Sequence, residues 1–144
     1  MMLHCDLVYV APGTVFRLPF VDLGLVPEAA SSLLLPRRVG MAKAAEFLLL
    51  GQAFGAEEAA RLGLANAIVP ACGLRNFAIE RARQLATKPR AAIAATRRLM
   101  RGDGQEILAR IEEEARLFPP PCDLMKPAPP SPRFSAKSAR FSDV

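Results

Sequence analysis

The sequence predicts an α/β chain in which a few short strands give way to a helical C-terminal region. Three observations carry that expectation. Aromatic residues are scarce, with eight Phe, one Tyr and no Trp among 144 residues. A core built mainly from Leu, Ala and Val favours helices with apolar stripes over an all-β sandwich. Short β-prone runs, closed by Gly or Pro, fall in the first 70 residues, whereas apolar residues at three- and four-residue spacings dominate from there to residue 118. The length suffices for one domain with a core but not for two. A composition of 51% hydrophobic and 23% charged residues, with a mean hydropathy of +0.19, argues against disorder over most of the chain.

Taken in order, Leu7-Val8-Tyr9-Val10 reads as a buried strand ended by Ala11-Pro12-Gly13, and Thr14 to Leu18 as a second β-like piece. Pro19, Gly24 and Pro27 break up the stretch around Val21-Asp22-Leu23. From Glu28 the texture changes. Ala29 to Leu35 can form one or two helical turns before Pro36, which sets Glu28 at a helix N-terminus. A helix is expected over 41–50, where Gly51 suits the left-handed position that ends it, and another over 56–62, stopped by Gly63. Leu64 to Val69 is extended up to Pro70. Leu74, Phe77, Ala78, Ala82 and Leu85 make the stripe of a helix over 74–86. Pro89 opens a further helix to about Arg101, which Gly102-Asp103-Gly104 breaks. The last helix, from Gln105, sets Ile107, Leu108, Ile111, Ala115 and Phe118 on one face and Glu112, Glu113 and Glu114 on the other. Beyond it, residues 119–144 hold seven of the 13 prolines and keep neither a 3.6 nor a 2.0 period. This Pro-rich tail is expected to be disordered or aberrant, as a frameshift-like replacement would be.

Charge and cysteines bound the chemistry. The net charge of +5 comes from 19 basic and 14 acidic residues, a surplus too small to demand nucleic acid as a partner. The basic stretch of Arg75, Arg81, Arg83, Lys88, Arg90, Arg97, Arg98 and Arg101 reads as a solvated helical face, since aromatic residues hardly interleave it. Cys5, Cys72 and Cys122 are odd in number and form no CxxC pair; they read as buried or free thiols of a reducing cytoplasm, with no metal. His4, the only histidine, argues against a multi-histidine metal site within one chain and is expected to pack in the core. No GxGxxG and no Walker loop occurs. The N-terminus has no signal-peptide pattern and no run reaches the roughly 18 apolar residues of a membrane span. A soluble, cytoplasmic protein is expected.

One side chain stands out. Glu28 lies in the apolar stretch Leu23 to Ala30 with no basic residue within eight positions on either side. It is either an exposed helix-start acid or a desolvated general base: the helix start favours the anion, and burial raises the pKa.

The run from Phe16 to Gly40, with Pro19, Gly24-Leu25-Val26-Pro27-Glu28-Ala29-Ala30 and Pro36-Arg37-Arg38-Val39-Gly40, resembles the central signature of the enoyl-CoA hydratase/isomerase (crotonase) superfamily. The likeness continues through Ala42 to Glu46, Leu48 to Gly51, Ala56 to Ala59, Arg61 to Asn66 and Val69-Pro70. It implies a partial crotonase-like domain over 1–118. Within it, 1–70 would be the end of the β-β-α spiral core with the catalytic glutamate loop, and 71–118 the C-terminal helices; 119–144 falls outside. The family's hydratases carry a glutamate after the proline that matches Leu18-Pro19, where this chain has Phe20. Its peroxisomal-type Δ3,Δ2-enoyl-CoA isomerases place their catalytic glutamate at the position of Glu28. The resemblance therefore implies one-base isomerisation of an acyl-CoA in fatty-acid β-oxidation, with Glu28 as proton shuttle and Phe20 and Leu25 as pocket walls. It implies no cofactor beyond the CoA thioester substrate and a trimer-based homo-oligomer. In the family the oxyanion-hole donors precede the segment matching Met2 to Asp6, so the chain corresponds to the C-terminal half. Two alternatives follow: a non-catalytic remnant or assembly partner without an oxyanion hole, and an enoyl-CoA hydratase. Apolar strand and helix surface is expected at the edges.

Overall fold

The computed structural model describes residues 2–102 and 104–118; the expectations for the 119–144 tail, Cys122 and Asp103 lie outside them. After a 3₁₀ turn at Met2–His4, four two-residue strands are arranged in two small sheets. Tyr9–Val10 (β1) and Ala67–Ile68 (β4) run parallel, Tyr9 opposite Ala67. Val15–Phe16 (β2) and Phe54–Gly55 (β3) run antiparallel, Phe16 opposite Phe54. The strands are shorter than the β-prone runs that contain them, because each has a single partner and the ladder stops where that partner turns away. Asn66 extends the first sheet from both its groups: its N–H donates to the Val8 carbonyl at 2.7 Å and its Oδ1 accepts from the Val8 N–H at 2.7 Å.

Six helices account for most of the rest: α1 Ser31–Val39, α2 Met41–Leu49, α3 Ala56–Arg61, α4 Ala71–Ala86, α5 Arg90–Arg101 and α6 Gly104–Leu117. The expected stop at Gly51 has the left-handed backbone that suits glycine, with φ of 59°. There a Cβ would also collide with the Asp22 carboxylate. Three boundaries differ from expectation. Val21–Leu23 is a 3₁₀ turn ended by Gly24. α4 begins at Ala71, directly after Pro70, rather than at Leu74. α1 continues through Pro36 instead of ending before it. Pro36 cannot donate to the Ser32 carbonyl one turn back, but its own carbonyl accepts the Gly40 N–H at 2.9 Å and the helix runs on.

The core gathers β1, β3 and the inner faces of α1, α2 and α3. Phe47, Leu35 and Leu64 are its largest fully buried side chains. Phe47 stacks on Phe54 at 4.0 Å between ring centroids, and Phe54 stacks in turn on Phe16 at 5.2 Å. The C-terminal helices lie outside this cluster. α4 reaches it through an edge-to-face contact of Phe77 with Tyr9, and α5 through Arg97 and Arg101, which both hold Asp6. Exposed apolar side chains, among them Val15, Leu49, Leu50, Leu99 and Met100, occur on strand and helix surfaces alike. Cys5 and Cys72 are exposed rather than buried.

One helix face is corrected. Glu114 of α6 is 5% exposed and does not share the solvent side of Glu112 and Glu113. It stands three residues after Ile111 and four before Phe118, so a 3.6-residue period sets it on the same stripe as those apolar side chains. Among the described residues no helix is long and apolar enough to cross a membrane, and no group of three or more His, Cys, Asp and Glu could hold a metal ion.

Candidate functional site

Between the N-terminal turn, β2 and the start of α1 lies a cavity of about 240 Å³. Its walls are mostly apolar: Phe16, Leu18, Phe20, Leu35, Phe54 and Leu64. Glu28 lines it too, as the single carboxylate among the described residues that do, and remains exposed to solvent. Phe20 and Glu28 are thus brought to one cavity, as the sequence suggested. Leu25 is half-buried and lies outside that lining, its N–H donating to the Phe20 carbonyl at 2.8 Å. Of the two readings of Glu28, the structure shows an exposed carboxylate at the open side of an apolar hollow.

Nor does Glu28 belong to a helix. α1 starts at Ser31, and Glu28 occupies the first position of a tight turn closed by the Ser31 N–H on the Glu28 carbonyl at 3.0 Å. Both central residues of that turn, Ala29 and Ala30, have φ of 55°. Left-handed backbone costs a residue with a Cβ roughly 1–2 kcal/mol, so surrounding contacts must hold the pair in place. Two side chains do so from opposite sides. His4 donates from Nε2 to the Ala29 carbonyl at 2.7 Å; a carbonyl only accepts, so this nitrogen carries the proton. Glu114 accepts the Ala30 N–H at 2.6 Å through Oε2. Through Oε1 it takes the Ser32 N–H at 3.1 Å and the Ser32 hydroxyl at 2.6 Å. The first turn of α1, which has no side-chain cap from its own N-cap residue Ala30, is therefore satisfied by a distant carboxylate, favourably placed for the helix dipole.

Sequence reasoning assigned His4 to packing and Glu114 to solvent, and both serve the Glu28 turn. His4 lies on a cavity wall, in an N-terminal turn held by Arg38 on the Leu3 carbonyl at 3.1 Å and the Cys5 carbonyl at 3.3 Å. No local pattern links position 4 to position 29. For Glu114 the helical spacing was a usable signal. Ser31, buried against the same cavity, keeps a hydroxyl with no hydrogen-bond partner among the described residues.

A second cleft, of about 780 Å³, opens among α4, α5 and α6. Leu85 and Ile93 line it together with Lys88, Arg90, Arg97 and Arg101, and among the described residues no carboxylate or histidine does. Its charge suits an anion. The basic stretch read as a solvated face thus partly walls this cleft, and Arg97 and Arg101 are engaged by Asp6 at 2.7 Å each. The Arg97 hydrogen bond holds the Asp6 carboxyl below the usual carboxylate range; desolvation opposes it, and Arg101 adds to the lowering. The 240 Å³ cavity, by contrast, joins an apolar chamber to one carboxylate. That combination sets one candidate base beside room for an apolar group.

The chain is similar to known proteins over most of its described length. A family model described as enoyl-CoA hydratase/isomerase matches residues 1–123. A protein named probable enoyl-CoA hydratase, from Rhodobacter capsulatus, is 39% identical over 116 residues, covering 80% of this chain and 45% of the relative. A carnitinyl-CoA dehydratase of Proteus mirabilis is 34% identical over 116 residues, 81% of this chain and 43% of the relative. Enoyl-CoA delta isomerase 2 of Rattus norvegicus is 35% identical over 109 residues, 76% of this chain and 28% of the relative. The crystal structure of an enoyl-CoA hydratase/isomerase from Pseudoalteromonas atlantica T6c matches with a TM-score of 0.80 at 37% identity, covering 88% of this chain and 50% of that one. The chain spans less than half the length of these curated relatives.

Proposed function

Because the chain belongs to the enoyl-CoA hydratase/isomerase family and has the crotonase fold, we propose that it carries the base of a Δ3,Δ2-enoyl-CoA isomerisation, with Glu28 moving the proton. One observation carries this reading: among the described residues lining the 240 Å³ cavity, Glu28 is the single carboxylate, and Phe20 fills a neighbouring part of the wall. Adding water to a double bond calls on groups that activate and protonate, which the family's hydratases supply as two glutamates. Shifting a double bond calls for one.

In this mechanism the Glu28 carboxylate removes a proton from C2 of a 3-enoyl thioester. The C2–H electron pair forms the C1–C2 double bond of a dienolate, conjugated with the C3–C4 double bond that stays in place, and the carbonyl π pair moves onto the thioester oxygen, which takes the negative charge. The resulting carboxylic acid then gives its proton to C4, where the C3–C4 π pair forms the new C–H bond; the C1–C2 pair becomes the C2–C3 double bond, the oxygen charge restores the carbonyl, and a 2-enoyl thioester leaves. Carboxylate, substrate and product balance without an oxidant or a second acid. The apolar walls accept the acyl chain, and an occupant displaces water from the exposed side of Glu28. The CoA thioester serves as substrate, and no resident cofactor enters the scheme. A hydratase reading draws support from the name of the Rhodobacter relative.

The test is turnover of a 3-enoyl-CoA by the chain and by its Glu28→Gln variant. Loss of the base should reduce the rate roughly a hundredfold or more. Equal rates for the two proteins would remove Glu28 from the chemistry. A folded chain with no turnover at all would favour the non-catalytic reading.

A further inference from the structure

We propose that Glu114 is a positioning residue for Glu28: from α6 it holds the left-handed Ala29–Ala30 turn that sets the Glu28 side chain against the cavity. The functional part of this inference rests on the reading of Glu28 as the base, whereas the clamp itself is a matter of backbone geometry.

Consider the turn without it. Ala29 and Ala30 both occupy the left-handed region, which β-turns with positive φ at both central residues normally reserve for Asn, Asp or Gly. Nothing in the pair's own side chains favours that state, since a methyl group can neither hydrogen-bond nor relieve the crowding of its Cβ. Relaxing either alanine would rotate the peptide planes between Glu28 and Ser31 and swing the Glu28 side chain away from its place on the wall. On the upstream side the turn is fixed by one bond, His4 to the Ala29 carbonyl. On the downstream side it is fixed by Glu114, which accepts from Ala30 and twice from Ser32.

The carboxylate suits this task in charge and in shape. Its two oxygens face two different residues, Oε2 toward Ala30 and Oε1 toward Ser32, so it spans the junction between turn and helix. It is 5% exposed, which limits competition from water for these donors. Arg110, one turn earlier on α6, donates to the Ser32 hydroxyl at 3.2 Å and orients that hydroxyl's proton toward Glu114. A carboxylate serving α6 alone would have no reason to reach across 84 positions of sequence to a strained turn. Glu114 does not line the cavity and so acts through Glu28.

NMR spectroscopy of the isotopically labelled 144-residue chain tests the clamp directly. A residue with positive φ shows a strong intraresidue NOE between its amide and Hα protons. The wild-type chain should show it at Ala29 and Ala30, with low-field amide protons at Ala30 and Ser32 from the carboxylate bonds. In Glu114→Ala both NOEs should weaken and both amides should move up-field, while Asn66 and Val69, in the β1–β4 ladder, stay in place. Glu114→Gln, nearly isosteric and able to accept through one oxygen only, should shift one of the two amides and guards against a variant that fails to fold. In the isomerase assay Glu114→Gln should lower kcat roughly tenfold to a hundredfold with KM unchanged, a split that simple loss of folded protein does not produce at fixed active concentration. Retention of both NOEs in Glu114→Ala, or an unaltered kcat in Glu114→Gln, would overturn the proposal. Loss of the NOEs in a chain that never turns over substrate would leave the clamp standing and strike only at Glu28 as the base.

Discussion

The stretch from Leu3 to Ala65 and the helices from Ala71 onward are built on different principles. In the first, Phe47, Leu35 and Leu64 are almost wholly removed from solvent. In the second, α4 and α5 bury no residue, and the residue that α6 buries is a carboxylate. The first region coheres by apolar packing. The second is attached largely by polar contacts: Asp6 to Arg97 and Arg101, Arg37 to Glu106, and Glu114 to the start of α1. The Glu28 turn lies where the two meet, with His4 reaching it from one and Glu114 from the other. The difference teaches that core stability and site geometry have separate determinants here, and that pH and ionic strength should act mainly on the second.

The largest effect should come from the core. Phe47→Ala removes a fully buried ring that stacks on Phe54 and should lower stability by about 3–5 kcal/mol in urea titration. A loss under about 1 kcal/mol, against the range expected for such truncations, would show that this cluster is not what holds the first region together.

A smaller effect is expected at the polar attachment of α5. The Asp6 carboxyl is held below its ordinary value in the folded chain, first by the Arg97 hydrogen bond. A depressed folded pKa gives stability that is present above the unfolded value near 4 and lost as pH falls through the folded one. Both partners are half-exposed, so Asp6→Asn should cost roughly 0.5–1 kcal/mol near pH 7. The gap between the two proteins should close below about pH 4 and narrow with added salt. A gap that widened on acidification would contradict the assignment.

The smallest effect belongs to Leu99, 79% exposed on α5. Leu99→Ala should change stability by no more than about 0.5 kcal/mol, although the same substitution at a buried leucine would cost several times as much. A large loss would mean that α5 packs more tightly than its exposure indicates.

Much of this contrast was legible in the sequence. The helices over 41–50, 56–62 and 90–101 follow from good helix formers bounded by Gly51, Gly63, Pro89 and Gly102, because local backbone preferences decide such boundaries. The site was legible in part. Glu28 and Phe20 stand out through their neighbours in sequence and through family resemblance. The helix ran on past Pro36 because tertiary packing tolerated one missing hydrogen bond. The left-handed Ala29–Ala30 pair could not be read at all: alanine carries no local signal for positive φ, and the groups that enforce it lie at positions 4 and 114. A charged residue on an apolar stripe was the available clue for Glu114, masked by the two glutamates before it.

The account stands most directly on the identity of the product formed from a 3-enoyl-CoA. Liquid chromatography that separates the two isomers, coupled to mass spectrometry, should find a 2-enoyl-CoA of unchanged mass formed by the 144-residue chain, and Glu28→Gln should abolish its formation. A product heavier by one water, or an isomer formed equally well by Glu28→Gln, would contradict the one-carboxylate mechanism.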